Sequence, residues 1–240
     1  MGGLCSSPGS DAAQSPLPAP VSQTGSCLAF EMSHDGAVND VCPAGGPGSF
    51  WSCGDDRRAL LHDVMRGSTL SSLETGHTRA VNRLCFSSSV LATASRDRTI
   101  RIWRAPAVNS QSPAPAPALV HDLHGHDLTV SAVHLTVDGS RLASGSRDSS
   151  VRVWDVEAGR SVMRAERSQN IVTCLRWHPA APQTVIVQGG EDLRVRLWDT
   201  RAGHGSMREA QVGCGCGMQR TRFTYASKSR LRRLPLSLLS

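Results

Sequence analysis

Histidine, aspartate and a serine or threonine recur along this chain in a combination that could support nucleophilic chemistry. His34, Ser52 and Asp56 make one such set, His77, Thr93 and Asp97 a second, and His126, Ser144 and Asp148 a third. An imidazole held between a carboxylate and a hydroxyl can draw off the hydroxyl proton and turn its oxygen into a nucleophile. A catalytic site, however, need occur only once, whereas a structural brace must recur in every unit that it braces. The repetition therefore predicts buried hydrogen-bond chains, in which each polar group finds a partner and avoids a cost of about 1–3 kcal/mol. Outside these sets there is no phosphate-binding loop and no nucleophile motif. The expectation is of no catalytic residue, no cofactor and no enzyme activity.

Other reactive groups are sparse. Eight cysteines are present, and only Cys214 and Cys216 lie close together, as a lone C-x-C. A structural metal needs four well-placed ligands, and no second pair completes them, so no metal site is expected. The opening Met1-Gly2-Gly3-Leu4-Cys5-Ser6 fits the N-myristoylation pattern. One acyl chain binds a membrane only marginally, and Cys5 would supply the second anchor by palmitoylation. The competing reading is a small-residue start to a disordered tail. With no signal-type N-terminus and no apolar run of membrane-spanning length, the chain is expected to be cytoplasmic and not secreted, with membrane association through the acylated end.

The formal charge is +6, from 26 Lys and Arg against 20 Asp and Glu, and Lys228 is the only lysine. Arginines cluster around three of the aspartates: Arg96 and Arg98, Arg147, and further on Arg101, Arg152, Arg194 and Arg196. Guanidinium groups so placed could engage acidic segments or phosphates bidentately; ordinary solvated surface is the bland alternative. Arg96, Arg98 and Arg147 are the candidate partner-binding residues. Nucleic acid is a second class of partner, and would show affinity that falls steeply with salt. Against it, the basic residues alternate with acidic ones and no aromatic platform interleaves them.

The elements that must position these groups follow from a repeat. Aligning Asp56, Asp97, Asp148 and Asp192 places His62, Trp103, Trp154 and Trp198 each six residues later. The long interval, from Asp97 to Asp148, contains the Pro/Ala-rich insert Ala105–Ala118. Between His and Asp lie two short β-type runs, split in one repeat by the turn Asp138-Gly139, and an alternating strand such as SSVRVWDV follows the Asp. Gly-His early and Trp-Asp late, at a period of 40–45 residues, is the pattern of four strands per propeller blade.

With these motifs the chain resembles the WD-repeat family from about Ser26 to Gly203. The resemblance implies an all-β fold, a partial β-propeller of four recognisable blades with disordered N- and C-terminal tails. Residues 1–25 would be the first tail, the blades would occupy about 26–74, 75–123, 124–167 and 168–203, and 204–240 would be a basic, disordered tail. It also implies that His77, Thr93, Asp97 and Trp103 brace the second blade and His126, Ser144, Asp148 and Trp154 the third. The first blade keeps His34, Ser52 and Asp56 but has His62 for Trp. The fourth keeps Asp192 and Trp198 but has Gln188 for Ser and no Gly-His before it.

In the family the residue before the Asp often contacts partners, and Asp55, Arg96, Arg147 and Glu191 take that place. The stretches Gly-Arg-Ser-Val-Met-Arg-Ala and Asn-Ile-Val-Thr-Cys-Leu-Arg-Trp narrow the resemblance to one subfamily and imply a ciliary or membrane-trafficking role. The function expected is that of a non-enzymatic adaptor whose partners are other proteins. Four blades are fewer than the usual number, and an open fan leaves an uncovered face and edge. The segment SCLAFEM, 26–32, reads as an outer strand donated to a blade that is missing. Either the chain is a shortened product with little independent function, or it closes by self-association.

Overall fold

The computed structural model describes residues 34–46, 48–105, 116–166 and 170–201, together with strands at Ser206–Ala210 and Thr224–Tyr225. The expected tail over 1–25, the strand over 26–32, Gly2, Cys5, the C-x-C pair and most of the Pro/Ala insert lie outside these residues.

Among the described residues four antiparallel sheets follow one another along the chain, each a meander in sequence order. The first holds β1 (Val38–Pro43), β2 (Ser49–Gly54), β3 (Arg58–Asp63) and β4 (Ser68–Glu74). The second holds β5 (Val81–Ser87), β6 (Val90–Ser95), β7 (Ile100–Arg104) and β8 (Ala118–Leu123). The third holds β9 (Val130–Leu135), β10 (Arg141–Ser146), β11 (Ser150–Asp155) and β12 (Arg160–Glu166). The fourth holds β13 (Val172–His178), β14 (Ala181–Gly190) and β15 (Val195–Asp199), with β16 (Ser206–Ala210) pairing beside β15 and the two-residue β17 (Thr224–Tyr225) beside that. The strand β16 thus carries the fourth blade past Gly203, where the repeat pattern stops. Outer strands hold no member of the brace, so their sequence gives little sign of where they end.

The inner strands β1, β5, β9 and β13 pack in that order, each against the next, and β13 has no comparable packing against β1. Among the described residues the blades therefore form an open arc. Three apolar clusters fill the spaces between them. Trp51, Leu61, Val81 and Trp103 lie between the first and second blades, Ala92, Ile102, Val133 and Trp154 between the second and third, and Val151, Val153, Leu175 and Trp198 between the third and fourth. The two middle strands of a blade are buried on both faces because both faces meet a neighbour, so β6 and β11 lack the alternation of buried and exposed residues.

Polar links cross the same spaces. The Asn39 amide donates to the Val81 carbonyl at 3.0 Å, Asn82 to that of Val130 at 3.3 Å, and the Ser131 hydroxyl to that of Val172. The Trp177 indole donates to the His134 carbonyl at 3.0 Å.

Candidate functional site

Each blade carries its brace at the turn between its two middle strands. In the third blade the Trp154 indole donates to the Ser144 hydroxyl at 2.8 Å, Ser144 meets His126 Nε2 at 2.7 Å, and His126 Nδ1 meets Asp148 at 2.9 Å. The second blade repeats this with Trp103, Thr93, His77 and Asp97 at 3.1, 3.0 and 3.0 Å. These are the contacts of a carboxylate–imidazole–hydroxyl relay. Yet the hydroxyl oxygens of Ser144 and Thr93 are fully buried and already accept an indole N–H, so no substrate can reach a lone pair. A fifth member extends each chain. Thr99 and Ser150, two residues after the aspartate, donate to its other oxygen at 2.7 and 2.6 Å. The recurring Asp-x-Ser/Thr spacing is the signal that could have found them.

Burial alone would raise the carboxyl pKa values of Asp97 and Asp148. Hydrogen bonds from the histidine and from Thr99 or Ser150 outweigh it and hold both well below the usual carboxylate range. Around these aspartates the chain turns sharply, and the following residue takes a left-handed conformation in all four blades: Arg57, Arg98, Ser149 and Leu193, with φ between 62° and 76°.

The first blade completes the brace without tryptophan. His62 Nε2 stands 2.7 Å from the Ser52 hydroxyl, which stands 2.7 Å from His34 Nε2, and His34 Nδ1 meets Asp56 at 2.9 Å. Burial, helped by the nearby His34, pushes the His62 pKa down. A neutral ring protonated on Nε2 donates to Ser52 as the indole does in the neighbouring blades.

The fourth blade uses amides. Trp198 donates to Gln188 Oε1 at 2.5 Å. With the Asn170 amide turned so that every atom has a partner, its oxygen accepts from Gln188 at 2.6 Å and its nitrogen donates to Asp192 at 2.9 Å. Asn170 thus replaces the missing histidine. Spacing hides it, because Asn170 lies two residues before the inner-strand Val172, whereas His77 and His126 lie four residues before Val81 and Val130.

The structure divides the arginines. Arg152 and Arg196, expected on the contact surface, are buried, and Arg101 is half-buried. They occupy one repeat position on the third strand, four residues after the aspartate. Arg152 donates to the Gly125 carbonyl at 2.7 Å and lies over the Trp154 ring, Arg101 donates to the Thr75 carbonyl, and Arg196 pairs with Asp192. The strand's polar face is turned against the preceding blade, so these cations hold the loops of their own blade. The first blade has Leu60 at this position.

Arg96 and Arg147 remain exposed and close to a cleft of about 580 Å³ at the ends of the inner strands. Asn39, Asn82, Arg83, Thr129, Ser131 and Glu191 also line it. Arg96 lies 3.8 Å from Asp55 and donates to Asn82 at 2.9 Å, and Arg147 lies 4.0 Å from Glu191. The half-buried Arg83 is held by the carbonyls of Ser131 and Asn39. Arg98 is not among the residues that line the cleft and sits in the turn after the aspartate. Among the described residues no group of three or more His, Cys, Asp or Glu is placed to hold a metal ion, and no helix is long and apolar enough to cross a membrane.

A family model described as WD domain, G-beta repeat matches residues 67–104, 117–155 and 160–199. The chain is a WD-repeat protein. Each matched segment begins at the outer strand of one blade and ends on the third strand of the next, so the sequence repeat is offset from the blade by one strand. That offset ties neighbouring blades covalently. The first blade's three inner strands lie outside the matched segments, yet they carry a complete brace.

Among curated proteins the chain is 26 % identical over 189 residues to nuclear distribution protein nudF of Aspergillus niger, covering 69 % of this chain and 40 % of that protein. It is 35 % identical over 121 residues to WD repeat-containing protein 37 of Xenopus laevis, covering 49 % and 22 %. It is 40 % identical over 90 residues to nuclear distribution protein PAC1 of Candida albicans, covering 36 % and 16 %. The chain therefore spans less than half the length of these relatives. WD-repeat proteins are in general non-enzymatic interaction scaffolds, and the buried brace hydroxyls accord with that.

Proposed function

We propose that this chain is a protein-interaction scaffold that takes acidic segments of partner proteins into the cleft beside Arg96 and Arg147. The observation that carries this reading is the charge of the cleft lining: three guanidinium groups, Arg83, Arg96 and Arg147, face one carboxylate, Glu191. Arg83 is anchored by carbonyls, whereas the other two can swing towards a ligand and grip a carboxylate or phosphate with two parallel N–H donors. On its resemblance to WD repeat-containing protein 31, we place the scaffold in ciliary or membrane trafficking within the cytoplasm. Acylation at Gly2 and Cys5 would hold it at a membrane, and the working form is a self-associated, closed propeller.

The test is fluorescence anisotropy of a labelled glutamate-rich peptide titrated with the full chain. Tight binding that the Arg96→Ala/Arg147→Ala double variant weakens at least tenfold supports the reading. Equal affinity in a folded double variant refutes it. Preference for duplex DNA over the peptide, with a steep loss of affinity in salt, would make this a nucleic-acid surface instead.

A further inference from the structure

The two ends of the blade arc are complementary halves of the interface that the chain already makes three times. On the forward face of the first three blades, the two residue pairs that bracket the middle strands are fully buried: Trp51 and Leu61 with Cys53 and Ala59, Ala92 and Ile102 with Ala94 and Ile100, and Ala143 and Val153 with Gly145 and Val151. The fourth blade has Val187 and Leu197 with Gly189 and Val195 at these positions, equally apolar, and all four are only half-buried.

The backward side shows the converse. The inner-strand valines Val81, Val130 and Val172 are each 0 % exposed, whereas their counterpart Val38 in the first blade is 54 % exposed. At the next inward position Leu84, Val133 and Leu175 are at most 3 % exposed, against 58 % for Val41. The polar relay ends in the same way. Asn39, Asn82 and Ser131 each donate to the carbonyl of the next blade's inner valine. Thr173 holds the donor position of the fourth blade and is exposed, and Val38 holds the acceptor position of the first.

We infer that two copies of this chain join head to tail, the fourth blade of each docking on the first blade of the other, to close a ring of eight blades. This deepens the self-associated scaffold proposed above and rests on that reading. A second copy is the favoured occupant, because each end presents the surface that the other end of the same chain is built to cover. Eight blades lie within the range that propellers adopt. Because the contact is between unlike surfaces, two copies either close on themselves or continue into a filament. At each seam Thr173 would donate to the Val38 carbonyl of the other copy, and Val187, Leu197 and Val195 would cover its Val38 and Val41. Glu191 would approach the other copy's Asp55, but each of these carboxylates already faces its own arginine, Arg147 or Arg96.

The experiment is sedimentation velocity with light scattering on the full 240-residue chain over a wide concentration range. A discrete species of twice the 25.6 kDa chain mass is expected. Val38→Glu, on a side chain already exposed, should leave cooperative unfolding intact and yield a monomer, as should Val187→Glu on the opposite face. Mixing the two variants leaves one unaltered seam per pair, so a weaker dimer should reappear. A chain that stays monomeric, that grows continuously into longer species, or that remains dimeric in both variants overturns the inference. The Arg96→Ala/Arg147→Ala variant should still dimerise while losing the acidic peptide, which separates failure of the ring from failure of the cleft.

Discussion

His62 stands 2.7 Å from the Ser52 hydroxyl and fills the role that Trp103 and Trp154 fill in the next two blades. Its ring also stacks on Phe50, with centroids 4.8 Å apart, so it supplies both the donor and the flat apolar contact. Replacing His62 by Phe keeps the contact and removes the donor, leaving the buried Ser52 oxygen short of a partner. A loss of about 1–2 kcal/mol is expected, read from the urea midpoint. An unchanged midpoint would mean that the bond contributes nothing.

Ser144 is a shared partner, so its removal strands two buried groups at once. Ser144→Ala should cost about 2–4 kcal/mol, because His126 Nε2 and the Trp154 N–H both lose their bond. Ser144→Thr should cost far less, since the second blade uses Thr93 in the same place. If the two variants unfold at one urea concentration, steric fit governs the site and the hydrogen bonds do not.

Leu193 occupies the left-handed turn position with φ 62° while 84 % exposed, so it has strain without a compensating contact. Leu193→Gly should raise stability by roughly 0.5–1 kcal/mol, the left-handed penalty less the extra entropy of glycine in the unfolded chain. Leu193→Val should move thermal unfolding in the opposite direction, because a β-branched residue tolerates this conformation worse.

Acid should loosen the junction of the third and fourth blades. The Trp177 backbone N–H donates to His134 Nδ1 at 3.3 Å, and a protonated ring cannot accept that bond. Burial, joined by the charge of Arg176, pushes the His134 pKa from 6.5 down to about 4. Below the unfolded value the unfolded chain takes up a proton that the folded chain refuses. Stability from this group is therefore full above 6.5 and falls as pH drops towards 4. His62, also depressed, acts in the same direction. Asp97 and Asp148 act lower, their contribution being lost as pH falls below the ordinary carboxylate value of 3.8. His134→Asn keeps an acceptor that does not titrate. It should reduce the drop in urea midpoint between about pH 7.5 and about pH 5. A drop equal to that of the parent chain would rule His134 out.

By itself the sequence determined the repeat, the strand order within each blade and the brace of the second and third blades. In those blades histidine, hydroxyl, aspartate and tryptophan stand at fixed separations on adjoining strands, and short strands convert fixed spacing into fixed geometry. It also determined that His62 stands in the tryptophan position. Only the tertiary structure decided that Asn170 completes the fourth brace, because a residue arriving by a different loop path has no constant spacing to betray it. Packing also decided which arginines are surface. Arg96 and Arg152 stand in similar runs of sequence, but one follows the end of a middle strand and faces a cleft, while the other lies where the preceding blade presses and is buried with its cation on a carbonyl and a ring. Spacing is a local property, and burial depends on which blade stands alongside.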